Sequence, residues 1–193
     1  MKSLAVVLAL SLTVASVPAA QAFDDRFATR LSGFNEVHFS AGPPAALLGA
    51  ISTPAKGSFR ALINDRKAVI FYQLRYEDLT GAVTQAHIHF GQQHTVGGIV
   101  VWLCQTDGTP APPAVAALTP FCQGPNDDTV DGTITPAQVL AVSGQGFGVV
   151  TESKFQELVA AIRAGTTYAN VHSETFGPGE IRGQIDHDGG HRH

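Results

Sequence analysis

The sequence predicts an all-β protein, a sandwich or barrel of antiparallel strands with one short helix near its C-terminal end. Two features lead there first: short apolar runs are broken by turn residues at the spacing typical of sandwiches and barrels, and helical patterns are scarce. Glycine at 20 and proline at 11 residues supply those breaks. The third is a strict alternation in Ala68 to Tyr76, where Ile70, Tyr72, Leu74 and Tyr76 oppose Val69, Phe71, Gln73 and Arg75. That is how a half-buried antiparallel strand reads.

At the start, Lys2, the apolar run from Leu4 to Val17 and Ala20-Gln21-Ala22 read as an export signal over residues 1–22, with Phe23 as the first mature residue. The run is too short for a spanning helix, and no later stretch replaces it, so no membrane span is expected. The single domain is expected over 23–186, about 160 residues and long enough for one core. Phe23 to Arg30 is a polar lead-in. Strands are expected at Ala28 to Val37, Leu48 to Thr53, Lys56 to Asn64, Ala68 to Tyr76, Val83 to Phe90 and Gly98 to Cys104. Ile63 to Lys67 contains Asn64 and Asp65, which accept turn conformations, and joins two of these strands as a hairpin.

Gln105 to Asp128 is irregular, proline-rich and polar, and is expected as surface loop. Cys104 and Cys122 flank most of it. In an exported chain two cysteines read as a disulfide, contributing about 3 kcal/mol by the loop-entropy model. Thr129 to Thr135 is a further strand. Ser153-Lys154-Phe155-Gln156 matches a capping box, Phe155, Leu158, Val159 and Ile162 fall on one helical face, and Gly165 closes the helix. Its expected role is to cover an open end of the sheet. Thr167 to Ser173 and Glu180 to Ile185 are the last strands, followed by a polar tail, 187–193, in which His187, His191 and His193 with Asp186 and Asp188 read either as a loose metal-capturing tail or as a solvated one.

The net charge of −4 leaves no basic stripe, and nucleic acid is excluded as a partner. No phosphate-cradling loop, nucleophile elbow or dinucleotide fingerprint is present. What remains for chemistry is histidine. In Ala86-His87-Ile88-His89-Phe90-Gly91 the two imidazoles share one face of an extended strand, and Ala86 and Ile88 take the core face. His172 repeats the pattern in Tyr168-Ala169-Asn170-Val171-His172-Ser173. Three imidazoles make a metal site if the two strands are adjacent; otherwise His87 and His89 are a hydrogen-bonded or solvated pair. With Met1 removed and the cysteines oxidised, soft ligation of Cu(I) is poorly served, and Cu(II), ahead of Zn(II), is the consistent metal.

The segments Leu31-Ser32-Gly33-Phe34-Asn35-Glu36-Val37, Ala86 to Gly91, Tyr168 to His172 and Gly179-Glu180-Ile181-Arg182-Gly183-Gln184-Ile185 resemble the signature segments of the CHRD domain, first named from chordin and widespread in exported bacterial proteins. The likeness spans Thr29 to Asp186. A more distant similarity links the order His-x-His, Val-His, Gly-x-x-Arg to copper-zinc superoxide dismutase, a Greek-key β-sandwich. That second resemblance implies copper on His87, His89 and His172, with His94 as a fourth ligand and Arg182 as an anion-guiding arginine. The dismutase's zinc-loop residues are missing, so no structural zinc is implied. Plainer readings stand beside these: His94 as a loop residue, Arg182 paired with Glu180 or with an acid of another strand, His38 at the surface, and Glu36 and Glu180 without an acid/base role.

The expected function is therefore an exported, periplasmic or secreted copper-binding protein. A structural or protein-interaction module without metal, as chordin's use of the domain suggests, is the first alternative. A copper-only, dismutase-like enzyme is the second.

Overall fold

Hydrogen bonding along the alternating segments builds eleven strands and two helices in the computed structural model, which describes residues 25–39, 47–150 and 153–189. In chain order these are β1 (Arg26–Ser32), β2 (His38–Phe39), β3 (Leu47–Gly49), β4 (Lys56–Asn64), β5 (Val69–Glu77), β6 (Val83–Phe90), β7 (Gly98–Cys104), α1 (Pro113–Ala116), β8 (Asp128–Ile134), α2 (Lys154–Arg163), β9 (Thr167–Ser173), β10 (Ile181–Gln184) and β11 (Asp186–His187). The proposed export signal at 1–22 lies outside the described residues, as do His191 and His193.

One large sheet runs β7-β6-β9-β10-β1-β4-β5-β8, with β11 added to β1, and every pairing in it is antiparallel. Its end strands β7 and β8 approach each other, and Tyr72 on β5 reaches across to donate its hydroxyl proton to the Leu103 carbonyl at 2.6 Å. The sheet thus curls into a nearly closed barrel. Around it β6, β7 and β8 follow one another and β9 returns beside β6, which is Greek-key connectivity. The short β2–β3 ribbon stands apart.

The inward faces fill the barrel. Phe27, Leu31, Phe59, Ile70, Leu74 and Ile88 are buried together with the apolar face of α2, Phe155, Leu158, Val159 and Ile162. Each such side chain contributes about 2 kcal/mol by leaving water. Ser153 caps α2 by accepting from the Gln156 amide, and Gly165, at φ +65°, ends it. Arg163 in the last turn of α2 pairs with Asp25 and Asp65, fixing the helix beside the β4–β5 turn. Among the described residues no helix is long and apolar enough to cross a membrane.

Four expectations need correction. The first strand ends at Ser32, because the Gly33 carbonyl accepts from both Glu36 N and Ile51 N and turns the chain into a 3-10 helix at Gly33–Asn35. Leu48 to Thr53 is strand only at its beginning, since Gly49 sits at φ +76°. The segment after Cys104 is less of a surface loop than its polarity suggests. Gln105 is buried and knits it, donating to the Ala116 and Thr119 carbonyls and accepting from Ala111 N, with α1 between them. Finally, the tail begins as a strand: Phe27 pairs with His187 and Ala28 with Asp186. The Cys104–Cys122 disulfide is formed, with Cα atoms 5.2 Å apart.

Candidate metal centre

Strand pairing brings the three imidazoles together. β6 and β9 are neighbours, with His87 opposite Asn170, His89 opposite Tyr168 and Gln85 opposite His172. On the far side of β9, Arg182 stands opposite Asn170. Because side chains alternate, His87, His89, Tyr168, Asn170, His172 and Arg182 all project from one face, while Ala86, Ile88, Ala169, Val171 and Ile181 enter the core. Two bulges lie beside this face: the register of β6 with β7 shifts between Ala86 and His87 and again between Ile88 and His89.

This outward face is nevertheless buried, contrary to the open sheet surface that alternation alone implies. His87 is 0%, His89 7% and His172 6% exposed, because the segments 91–97 and 174–180 fold over them. Gly97 closes the first cover where a Cβ would collide with the Phe90 carbonyl. Each cover also orients one of the rings. His89 Nδ1 donates to the Gly97 carbonyl at 2.9 Å, and His172 Nδ1 donates to the Gly177 carbonyl at 2.8 Å. A carbonyl only accepts, so both rings carry their proton on Nδ1 and offer a lone pair on Nε2.

His87 Nδ1 lies 3.1 Å from His172 Nε2, and one nitrogen from each of the three histidines falls within 4.8 Å of the others. Two nitrogens bound to one ion at about 2.0–2.1 Å stand roughly 3 Å apart, so the first spacing suits a shared ion as well as a hydrogen bond. His89 Nε2 is buried without a partner. Burial lowers all three pKa values, His89 to about 4 and His87 well below its usual 6.5, with neighbouring imidazoles adding to the effect on both; His172 is lowered as well. The rings are therefore neutral near pH 7, the form that binds metal. The donor set fits a metal ion.

Other expected participants sit elsewhere. His94 is exposed at φ +63° on the crest of a turn closed by Thr95 N and Oγ1 bonding the Gln92 carbonyl, so it is not part of the group. Arg182 neither faces solvent nor pairs with Glu180. It is 2% exposed, its guanidinium lies 3.3 Å over the Tyr168 ring, and it donates to the Thr95 and Gln92 carbonyls at 2.7 and 3.0 Å. Arg182 thus pins the 91–97 cover, and Tyr168, stacked parallel to the His89 ring, accepts from Gly97 N at its hydroxyl. His38, expected at the surface, is half-buried with its ring edge-on to Phe176.

Sequence reasoning passed over several contributors. Glu180 is fully buried and receives Thr53 Oγ1, Thr80 N, Thr80 Oγ1 and Ser173 Oγ, tying the 174–180 cover to two other segments. Glu36 is buried too: Oε1 accepts from Val37 N, Oε2 has no full hydrogen bond, and burial raises its pKa against the pull of Arg182 and Asn170. Trp102, opposite His87 on β7, sets its ring edge-on at 4.3 Å. Asn170 alone has a local signal that could have found it, lying two residues before His172 and so on the same strand face.

Compared with known families, residues 27–185 match the model of the CHRD domain. No curated protein and no solved structure matches the chain, and the likeness to copper-zinc superoxide dismutase is not borne out.

Proposed function

The chain belongs to the CHRD family, and within that family we propose that it is an exported copper-binding protein whose ligands are His87, His89 and His172. The observation that carries this reading is the buried Nε2 of His89. It is a lone pair without a hydrogen-bond donor, held in place by the Nδ1 bond to Gly97 and turned toward two other neutral imidazoles. An unpaired buried acceptor costs about 1–3 kcal/mol, a penalty that an ion removes. Nitrogen donors without thiolate suit Cu(II) and Zn(II), and Cu(II) leads in intrinsic affinity. Export is supported by the disulfide, which persists in oxidising compartments.

A metal-free interaction module is the second reading. It is favoured by the His87–His172 contact, which can serve as a complete hydrogen bond on its own. A dismutase-type reaction is not proposed, because Arg182 is occupied in holding the cover.

Titration of the mature protein with Cu(II), followed by electron paramagnetic resonance, separates the two. The copper reading expects a nitrogen-coupled signal at one equivalent, lost in His89→Ala. It also expects stabilisation of about 2.7 kcal/mol at a free copper concentration a hundredfold above Kd. A spectrum of aqueous copper, with melting unmoved by the metal, leaves the module.

A further inference from the structure

The three imidazoles leave one coordination position open, and His94 does not reach it. Asn170 stands there instead. Its Oδ1 lies 3.2 Å from His172 Nε2, which is also 3.1 Å from His87 Nδ1. Since His172 Nδ1 keeps its proton and donates it in the hydrogen bond to the Gly177 carbonyl, Nε2 carries no hydrogen and is an acceptor. Without an ion, an amide oxygen and an imidazole lone pair thus face each other with no hydrogen between them. Turning the amide over would relieve that clash in isolation, giving Nδ2 to His172. Glu36 opposes the turn. A Cβ placed on Gly179 would stand 2.7 Å from Glu36 Oε2 and 2.8 Å from Asn170 Nδ2, so carboxylate and amide nitrogen converge on one small space. Flipping would set Oδ1 against that carboxylate. Gly179 is at φ +136°, where a side chain is both strained and excluded by these two atoms.

The geometry points to Asn170 Oδ1 as the fourth ligand of the centre, its amide oriented by Glu36, in an N3O set for a divalent ion of borderline hardness. This rests on the metal reading above and deepens it. The spacing of Oδ1 from Nε2 suits two atoms bound to one ion at about 2.0–2.2 Å each. A neutral oxygen donor favours Cu(II) or Zn(II) over Cu(I), which prefers sulfur. The adjacent-strand register places Asn170 directly opposite His87, so strand pairing rather than a loop fixes the oxygen.

Direct ligation is read from the full-length mature protein carrying 15N-asparagine and loaded with one equivalent of Cu(II). Electron spin echo modulation from the 15N amide nucleus, two bonds beyond the ligand oxygen, is expected in wild type and absent in Asn170→Ala. The alanine variant is expected to bind Cu(II) at least tenfold more weakly. The exchanged pair Asn170→Asp with Glu36→Gln keeps an oxygen toward the ion and an amide behind it, and is expected to bind at least as tightly as wild type. Circular dichroism of each metal-free variant confirms folding. A histidine-coupled copper signal without 15N modulation overturns the assignment of Asn170 and spares the metal reading. So does a folded exchanged pair that binds as weakly as the alanine variant. Absence of any nitrogen-coupled signal overturns both.

Discussion

β5 and β9 are both central strands of one barrel, yet their outward faces are treated differently. On β5 the outward positions Phe71, Gln73 and Arg75 are exposed and the inward Ile70, Tyr72, Leu74 and Tyr76 are buried. On β9 every residue from Thr167 to Ser173 is buried. The barrel core does not require this, because Ala169 and Val171 already seal the inner side. Covering Tyr168, Asn170 and His172 takes two loops: 91–97 is held by Arg182, donating to the Gln92 and Thr95 carbonyls, and by Gln184, donating to the Gly91 carbonyl, whereas 174–180 is held by Glu180, which accepts from Thr53, Thr80 and Ser173. Burying polar groups costs free energy unless they are paired. A fold that dries one polar face and leaves the equivalent face wet has spent stability on something other than folding, and the imidazole group is what that dry face contains.

The largest break in the comparison comes from its keystone. Arg182→Ala strips two carbonyls of their donor and uncouples a buried cation from Glu36, and is expected to destabilise by about 3–5 kcal/mol in urea unfolding, with faster amide exchange in 91–97. Acid gives the next. Burial holds the His89 pKa at about 4 against 6.5 for the free side chain, so between those values the unfolded chain binds a proton that the folded one refuses. Stability is complete above pH 6.5 and falls as pH drops toward 4, by on the order of 3 kcal/mol from His89. His87 and His172 act in the same direction. The urea midpoint of metal-free protein measures this, and His89→Ala should flatten the curve. Tyr168→Phe removes the acceptor of Gly97 N and should lose about 1 kcal/mol while keeping the stacked ring. Arg75→Ala, on the wet face, should change stability by less than about 0.5 kcal/mol even though it breaks an ion pair with Glu77. If Arg182→Ala and Arg75→Ala proved equal, the two faces would not differ in the way described.

The strands themselves, on both the wet and the dry side, were more legible in the sequence than the segments that cover them. Lys56–Asn64, Val83–Phe90, Gly98–Cys104 and Thr167–Ser173 emerge with the boundaries expected, because alternation and turn residues act locally. The helix after Ser153 emerges for the same reason. Alternation also put His87, His89 and His172 on matching faces, and the adjacency it could not show is supplied by the β6–β9 pairing. What stayed hidden is whatever crosses the chain. Arg182 meets residues 87 and 90 positions away, and Glu180 meets Thr80 a hundred positions away. No local period records such contacts, so the covering role of Arg182 was not among the roles the sequence offered it, and His94 was left between a loop residue and a fourth ligand.

The double bulge beside His87 and His89 bears on where such centres are to be sought. Against β6, β7 carries one surplus residue before each imidazole, and bulges of this kind sharpen the local twist of the paired strands. The triplet thus occurs on a pair of strands with mismatched lengths, a feature that the His-x-His spacing alone does not record. A search that weighs the neighbour's surplus residues with the triplet itself uses two features of this strand pair where the triplet alone uses one.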